Sequence, residues 1–199
     1  MGRFPRKDKF YLKAKDEGFR ARSAYKLLEI QKRFQLIKSG DRVLDLGCSP
    51  GSFIQVIHRI VGEKGFIVGI DLLETESFPS SNVVIRKGDV CEIDIKSIME
   101  EYGIPSFDII TSDISPNISG IREVDEENRK RVYESIKKIT VAGLKTGGHL
   151  IMKCFFTESF IPIKNDLKNM FKRVVVFKPQ ASRKISPEVY LIGMSLKKS

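Results

Sequence analysis

Tryptophan is absent from this chain, histidine occurs twice and cysteine three times in 199 residues. Cys48, Cys91 and Cys154 are an odd number with no C-x-x-C spacing, and neither His58 nor His149 has a partner at ligand spacing. A disulfide framework and a metal centre are therefore not expected, and each cysteine reads as a small buried residue. No apolar run reaches the roughly eighteen residues that a membrane span needs. The start, Met1-Gly2-Arg3-Phe4-Pro5-Arg6-Lys7, lacks the apolar stretch of a signal peptide. These absences predict a cytoplasmic protein with no membrane association. There are no repeats or low-complexity segments, and 41% hydrophobic residues suit one domain over residues 1–199 with a sizeable core.

Charge is unevenly placed. Residues 1–33 hold eleven Lys or Arg against four acids, and residues 172–199 hold seven against one. The middle holds seventeen against twenty, so the net +10 is carried by the two ends. If the ends meet in the fold, they form a face suited to phosphates, and segment 1–33 is expected to contribute to RNA binding. Phe4, Phe10, Tyr11 and Phe19 lie among the N-terminal charges, where rings either stack on bases or pack beneath a helix. From Ser23, a potential N-cap, Tyr25, Leu28, Ile30 and Phe34 predict an amphipathic helix with Lys26 near its start.

The stretch Val43-Leu44-Asp45-Leu46-Gly47-Cys48-Ser49-Pro50-Gly51-Ser52-Phe53 reads as buried strand, tight turn and helix. A dinucleotide site wants G-x-G-x-x-G for its pyrophosphate. Here only Gly47 and Gly51 are present, Ser49 takes the middle position, Pro50 stiffens the turn and Asp45 lies in the strand. That set suits a ligand with an ammonium end, which Asp45 and backbone carbonyls can accept, and S-adenosylmethionine is the expected cofactor. Phe66–Asp71 is a second strand whose terminal Asp71 is placed for ribose hydroxyls. A third, Val83-Val84-Ile85, leads to Asp89 and Val90, placed to accept from an adenine amino group and to pack on its ring. The expected cofactor set is Asp45, Gly47, Ser49, Pro50, Gly51, Phe53, Asp71, Asp89, Val90 and Asp113.

Asp113 ends a fourth strand, Phe107–Asp113, before the turn Ile114-Ser115-Pro116-Asn117, and so stands where ligands bind in an open α/β sheet. A helix follows through Val132, Ile136, Ile139 and Gly143, with Asp125, Glu126 and Glu127 expected in its first turn. Lys153 interrupts the apolar fifth strand His149–Phe156. A lysine buried there needs acidic partners or a chemical role. The chain closes with strands Val174–Phe177 and Val189–Met194 around a basic loop that ends at Glu188.

Alternating βα units with a terminal hairpin predict an α/β fold: a mostly parallel seven-stranded sheet, helices on both faces and a C-terminal antiparallel pair. With an adenosyl-type turn, this looks like the Rossmann-like class I methyltransferase fold. Asp45-Leu46-Gly47-x-x-Pro50-Gly51-x-Phe53, Ser112-Asp113-x-x-Pro116-Asn117-x-Ser119-Gly120, Lys153 and Ser186-x-Glu188-x-Tyr190 together resemble the FtsJ (RrmJ) family of RNA ribose 2′-O-methyltransferases. Arg20-x-Arg22-Ser23-Ala24-Tyr25-Lys26-Leu27 is similar to that family's N-terminal signature. The resemblance implies a Lys-Asp-Lys-Glu tetrad at Lys26, Asp113, Lys153 and Glu188, and Phe53 where ribosomal members often carry Trp.

Transfer to a 2′-hydroxyl needs removal of a weakly acidic proton and stabilisation of charge on oxygen. A neutral Lys153 would do the first and a charged Lys153 the second; the residues leave both open. Asp113 is expected to orient Lys153, Lys26 to position ribose or phosphate, and Glu188 to support the network. The resemblance also implies the substrate, a uridine ribose in large-subunit ribosomal RNA of the assembled subunit, with the enzyme a monomer. A transfer RNA anticodon loop is the alternative. A nicotinamide oxidoreductase would want the missing third glycine, and a noncatalytic RNA-binding protein would leave Lys153 unexplained.

Overall fold

The computed structural model describes residues 9–116, 118–183 and 185–198. Phe4, Asn117 and Lys184 therefore lie outside the described residues. Apolar, β-branched runs make the central strands β1 (Arg42–Leu46), β2 (Phe66–Asp71) and β4 (Phe107–Ser112). Val43, Leu44, Leu46, Ile67, Val68, Ile109 and Ile110 are fully buried, because helices cover both faces. Burying one such side chain contributes roughly 1.5–3 kcal/mol.

With β3 (Val83–Lys87), β5 (Leu144–Phe155), β6 (Phe171–Phe177) and β7 (Glu188–Leu196), the sheet has seven strands in the order β3-β2-β1-β4-β5-β7-β6. The parallel pairs are β1·β2, β1·β4, β2·β3 and β4·β5, while β7 runs antiparallel to both β5 and β6. The expected terminal antiparallel pair is present, but β7 inserts beside β5 and leaves β6 at the edge. That insertion sets Lys153 opposite Tyr190 and Phe155 opposite Glu188.

Helices α1 (Lys9–Asp16), α2 (Ala24–Phe34) and α3 (Ser52–Val61) form a core with one face of the sheet through Ala14, Leu27, Ile30, Ile54 and Ile57. On the other face lie α4 (Ile95–Glu101), α5 (Arg122–Gly143) and α6 (Phe160–Met170), packed through Ile98, Ile136, Ile139, Ile163 and Leu167. Helix α1 falls in a stretch that sequence periodicity leaves unassigned. Two of the N-terminal aromatics are packing residues: Phe10 and Phe19 each lie 5.6 Å from the Tyr25 ring. Ser23 precedes α2 but makes no capping bond; its hydroxyl pairs with that of Ser52 at 2.7 Å. Helix α5 starts at Arg122, so its first-turn acids are Glu123 and Asp125, and Glu126 and Glu127 fall one turn further on. Among the described residues, no helix is long and apolar enough to cross a membrane.

Candidate active site

Strand order reverses between β1 and β4, and the crevice beyond their carboxyl ends is where an open α/β sheet accepts ligands. Gly47 leaves β1 with φ +74°, and a Cβ there would meet Ile114 Cγ1 at 2.5 Å. Only glycine lets the turn adopt this backbone and pass so close to the segment leaving β4. Gly47 and Cys48 donate their amides to the Ile70 carbonyl at 2.8 and 3.2 Å. The Ser49 amide donates to Asp71 Oδ2, and the Leu73 amide to Oδ1, both at 2.8 Å. Asp71 thus fixes two loops that frame a cleft of about 540 Å³.

Gly47, Ser49, Asp71, Asp89, Val90 and Asp113 line this cleft, together with Leu72, Leu73, Ile114, Arg131 and Val132. Asp45, Pro50, Gly51 and Phe53 do not. Asp45 is wholly buried beneath the turn; its Oδ1 accepts from Thr111 Oγ1 at 2.6 Å, and its Oδ2 has no hydrogen-bond partner among the described residues. Burial pushes its carboxyl up to about 8, against the opposing hydrogen bond from Thr111. Phe53 is 2% exposed on the inward side of α3, beside Val56 and Ile57 in the core. The space that a Cβ on Gly51 would enter is held by Arg20, 2.6 Å away. Arg20 donates to the carbonyls of Pro50, Glu76 and Ser77 at 3.2, 2.8 and 2.8 Å, tying the N-terminal segment to both loops.

The four residues of the expected tetrad come together in two ion pairs. Lys153, whose side chain is 7% exposed, donates from Nζ to the Asp113 carbonyl at 2.5 Å and lies 3.2 Å from Asp113 Oδ1. Lys26 Nζ lies 2.7 Å from Glu188 Oε1, which also accepts from Ser182 Oγ at 2.8 Å. Burial alone would raise the Glu188 carboxyl, but Lys26, Ser182 and then Lys153 outweigh it and hold Glu188 below the ordinary glutamate range.

Tyr190 joins the pairs: its hydroxyl donates to Asp113 Oδ1 at 2.5 Å, and Lys26 Nζ sits 5.9 Å from its ring centre. Complete burial and the nearby Asp113 carboxylate raise its hydroxyl well above the usual tyrosine range, so it remains a donor. Sequence reasoning gave Tyr190 no role beyond its motif. Alternation along β7 could have found it, because Glu188 and Tyr190 share a face two residues apart. Arg20 had no such signal; its partners are carbonyls of distant loops.

An FtsJ-like methyltransferase model matches residues 19–196. The chain belongs to the FtsJ-like methyltransferase family. Among its relatives, ribosomal RNA large subunit methyltransferase E of Syntrophobacter fumaroxidans is 42% identical over 194 residues, covering 97% of this chain and 98% of the relative. The protein of the same name from Methanocaldococcus jannaschii is 40% identical, covering 94% of this chain and 78% of the relative. A Plasmodium falciparum crystal structure described as a ribosomal RNA methyltransferase superposes with a TM-score of 0.79 at 28% identity, covering 91% of this chain and all (100%) of that one. Family membership makes the acid-lined cleft the natural place for a methyl donor. Its wall offers the carboxylates of Asp71, Asp89 and Asp113, and its one cationic lining residue, Arg131, lies 3.7 Å from Asp89. That balance fits hydroxyl and ammonium donors and opposes a pyrophosphate.

Proposed function

We propose that this protein transfers a methyl group from S-adenosylmethionine to the 2′-hydroxyl of a uridine ribose in large-subunit ribosomal RNA, within the assembled subunit. The observation that carries the reading is the pairing of Lys153 with Asp113, an acid of the cleft wall, whose carboxylate also accepts from Tyr190, with the Lys26–Glu188 pair beside the Tyr190 ring. The names of the relatives support the choice of RNA.

Asp71 would hold the cofactor's ribose hydroxyls, Asp89 and Val90 its adenine, and the turn at Gly47 and Ser49, with Asp45 beneath, its amino-acid end. Bound S-adenosylmethionine supplies an electrophilic methyl on a sulfonium centre. An ammonium carries three donors; Lys153 directs one to the Asp113 carbonyl and lies in ion-pair contact with the Asp113 carboxylate. A remaining donor would face the ribose 2′-oxygen and stabilise negative charge there as the O–CH3 bond forms and the S–CH3 bond breaks, with the hydroxyl proton passing to solvent water. Asp113 fixes the direction of that donor, and Tyr190 fixes Asp113. Lys26, set by Glu188 and Ser182, positions the ribose or its phosphate.

The test is tritium transfer from S-adenosylmethionine into large subunits from a strain lacking the gene, followed by ribose-methylation mapping. A single 2′-O-methyl site is expected, with Lys153→Ala at least about a hundredfold slower and cofactor binding unchanged. Label on transfer RNA but not on subunits would replace the substrate, and label on neither would overturn the enzyme.

A further inference from the structure

Beyond the tetrad, strand β5 is followed directly by an exposed aromatic ring. Phe156 is 54% exposed. The buried ring of Phe160 meets it edge-on, with centres 4.6 Å apart and planes at 62°. Its amide donates to the Pro187 carbonyl at 2.9 Å, directly before Glu188. The residues that follow are held by a buried acid of α5: Glu126 Oε1 accepts from the Ser159 amide at 2.6 Å and from Thr157 Oγ1 at 3.1 Å. Arg129 holds the other Glu126 oxygen at 2.9 Å.

An isolated surface phenylalanine needs no explanation. This one stands three residues beyond Lys153 on a backbone bonded to the residue before Glu188, so two members of the tetrad lie within a few residues of it. Two residues on, Glu158 pairs with Arg122, both side chains largely exposed, a pair weak enough to yield its arginine to a phosphate.

We propose that Phe156 is a stacking surface for a nucleobase of the RNA substrate next to the ribose presented to Lys153. The inference rests on the RNA-methyltransferase reading and adds to it a substrate-positioning residue. Stacking on a phenyl face tolerates any base, so the ring holds the strand in place without reading its sequence.

Methyl transfer to undermethylated large subunits should show KM for the subunit raised by about five- to 150-fold in Phe156→Ala and Phe156→Leu. In both, kcat should stay within about twofold of wild type and the dissociation constant for S-adenosylmethionine should not change. Phe156→Tyr should restore the wild-type KM. Wild-type KM in the alanine variant, or in the leucine variant, which keeps apolar cover without a π face, would overturn the proposal.

Because the chain contains no tryptophan, Phe156→Trp provides a single tryptophan, excited selectively at wavelengths that tyrosine does not absorb. Its emission should be quenched by polyuridylic acid and not by an abasic ribose-phosphate polymer of equal length. Equal response to both polymers, or to neither, would overturn stacking. The fluorescence readout needs no turnover, so it separates failure of stacking from failure of the enzymatic reading, which appears as no methyl transfer by the wild-type protein to any RNA.

Discussion

At the scale of single residues, the site is built from groups that pair with and hydrogen-bond one another. Tyr190 is completely buried, and its hydroxyl is a donor to the carboxylate that directs Lys153. Tyr190→Phe removes that donor without changing the ring, and should cost about 1.5–3 kcal/mol in urea unfolding, as for hydrogen bonds to charged groups. Glu188 titrates below its ordinary value in the folded protein. Its contribution to stability is therefore fully present above the unfolded glutamate pKa of about 4.3 and is lost as pH falls through the lower folded value. The stability difference between wild type and Glu188→Gln should be largest near neutrality and shrink below about pH 4. A difference that grows on acidification would reverse the assigned direction.

At the scale of elements, α5 serves the two loops that follow the strands leading to the acid and the lysine. Asp125 Oδ1 accepts from the amide and hydroxyl of Ser119 at 2.6 and 2.8 Å, fixing the loop after β4. Its neighbour Glu126 fixes the loop after β5 through Ser159. The sequence makes both acids legible as complements to the helix dipole, but with Glu126 assigned to the first turn. It could not show that the two carboxylates point at different loops, because their partners are 6 and 33 residues away. Glu126→Ala should speed hydrogen exchange at the Ser159 amide at least tenfold, since losing about 1.4 kcal/mol of local protection is a tenfold change. Exchange far from this loop should be little affected.

At the scale of the molecule, the two basic ends do meet. Glu29 on α2 accepts from the amides of Gln180 and Ala181 at 2.6 and 2.8 Å, and Lys26 reaches Glu188. Among the described residues, α2 and the basic loop before β7 therefore lie against each other. Arg33 and Arg183 are exposed there. Replacing both with glutamine should weaken RNA binding similarly for different sequences and lower the slope of log affinity against log salt by about two. An unchanged slope would place the RNA elsewhere.

The sequence by itself determined the succession of strands and helices along the chain from α2 onward, the small-residue turn after β1, and the acids at the ends of β2 and β4. These follow from local periodicity and from residue types whose backbone demands are local. It also singled out Lys153, since one cation in an apolar strand is conspicuous without any coordinates. Only the tertiary structure decided that β7 inserts beside β5, setting Tyr190 and Glu188 against Lys153 and within reach of Lys26. It also moved Phe53 and Asp45 out of the cleft and placed Arg20 against Gly51. Pairing across strands and burial of side chains depend on contacts between residues tens to more than a hundred positions apart, and no pattern within one stretch of chain carries that information.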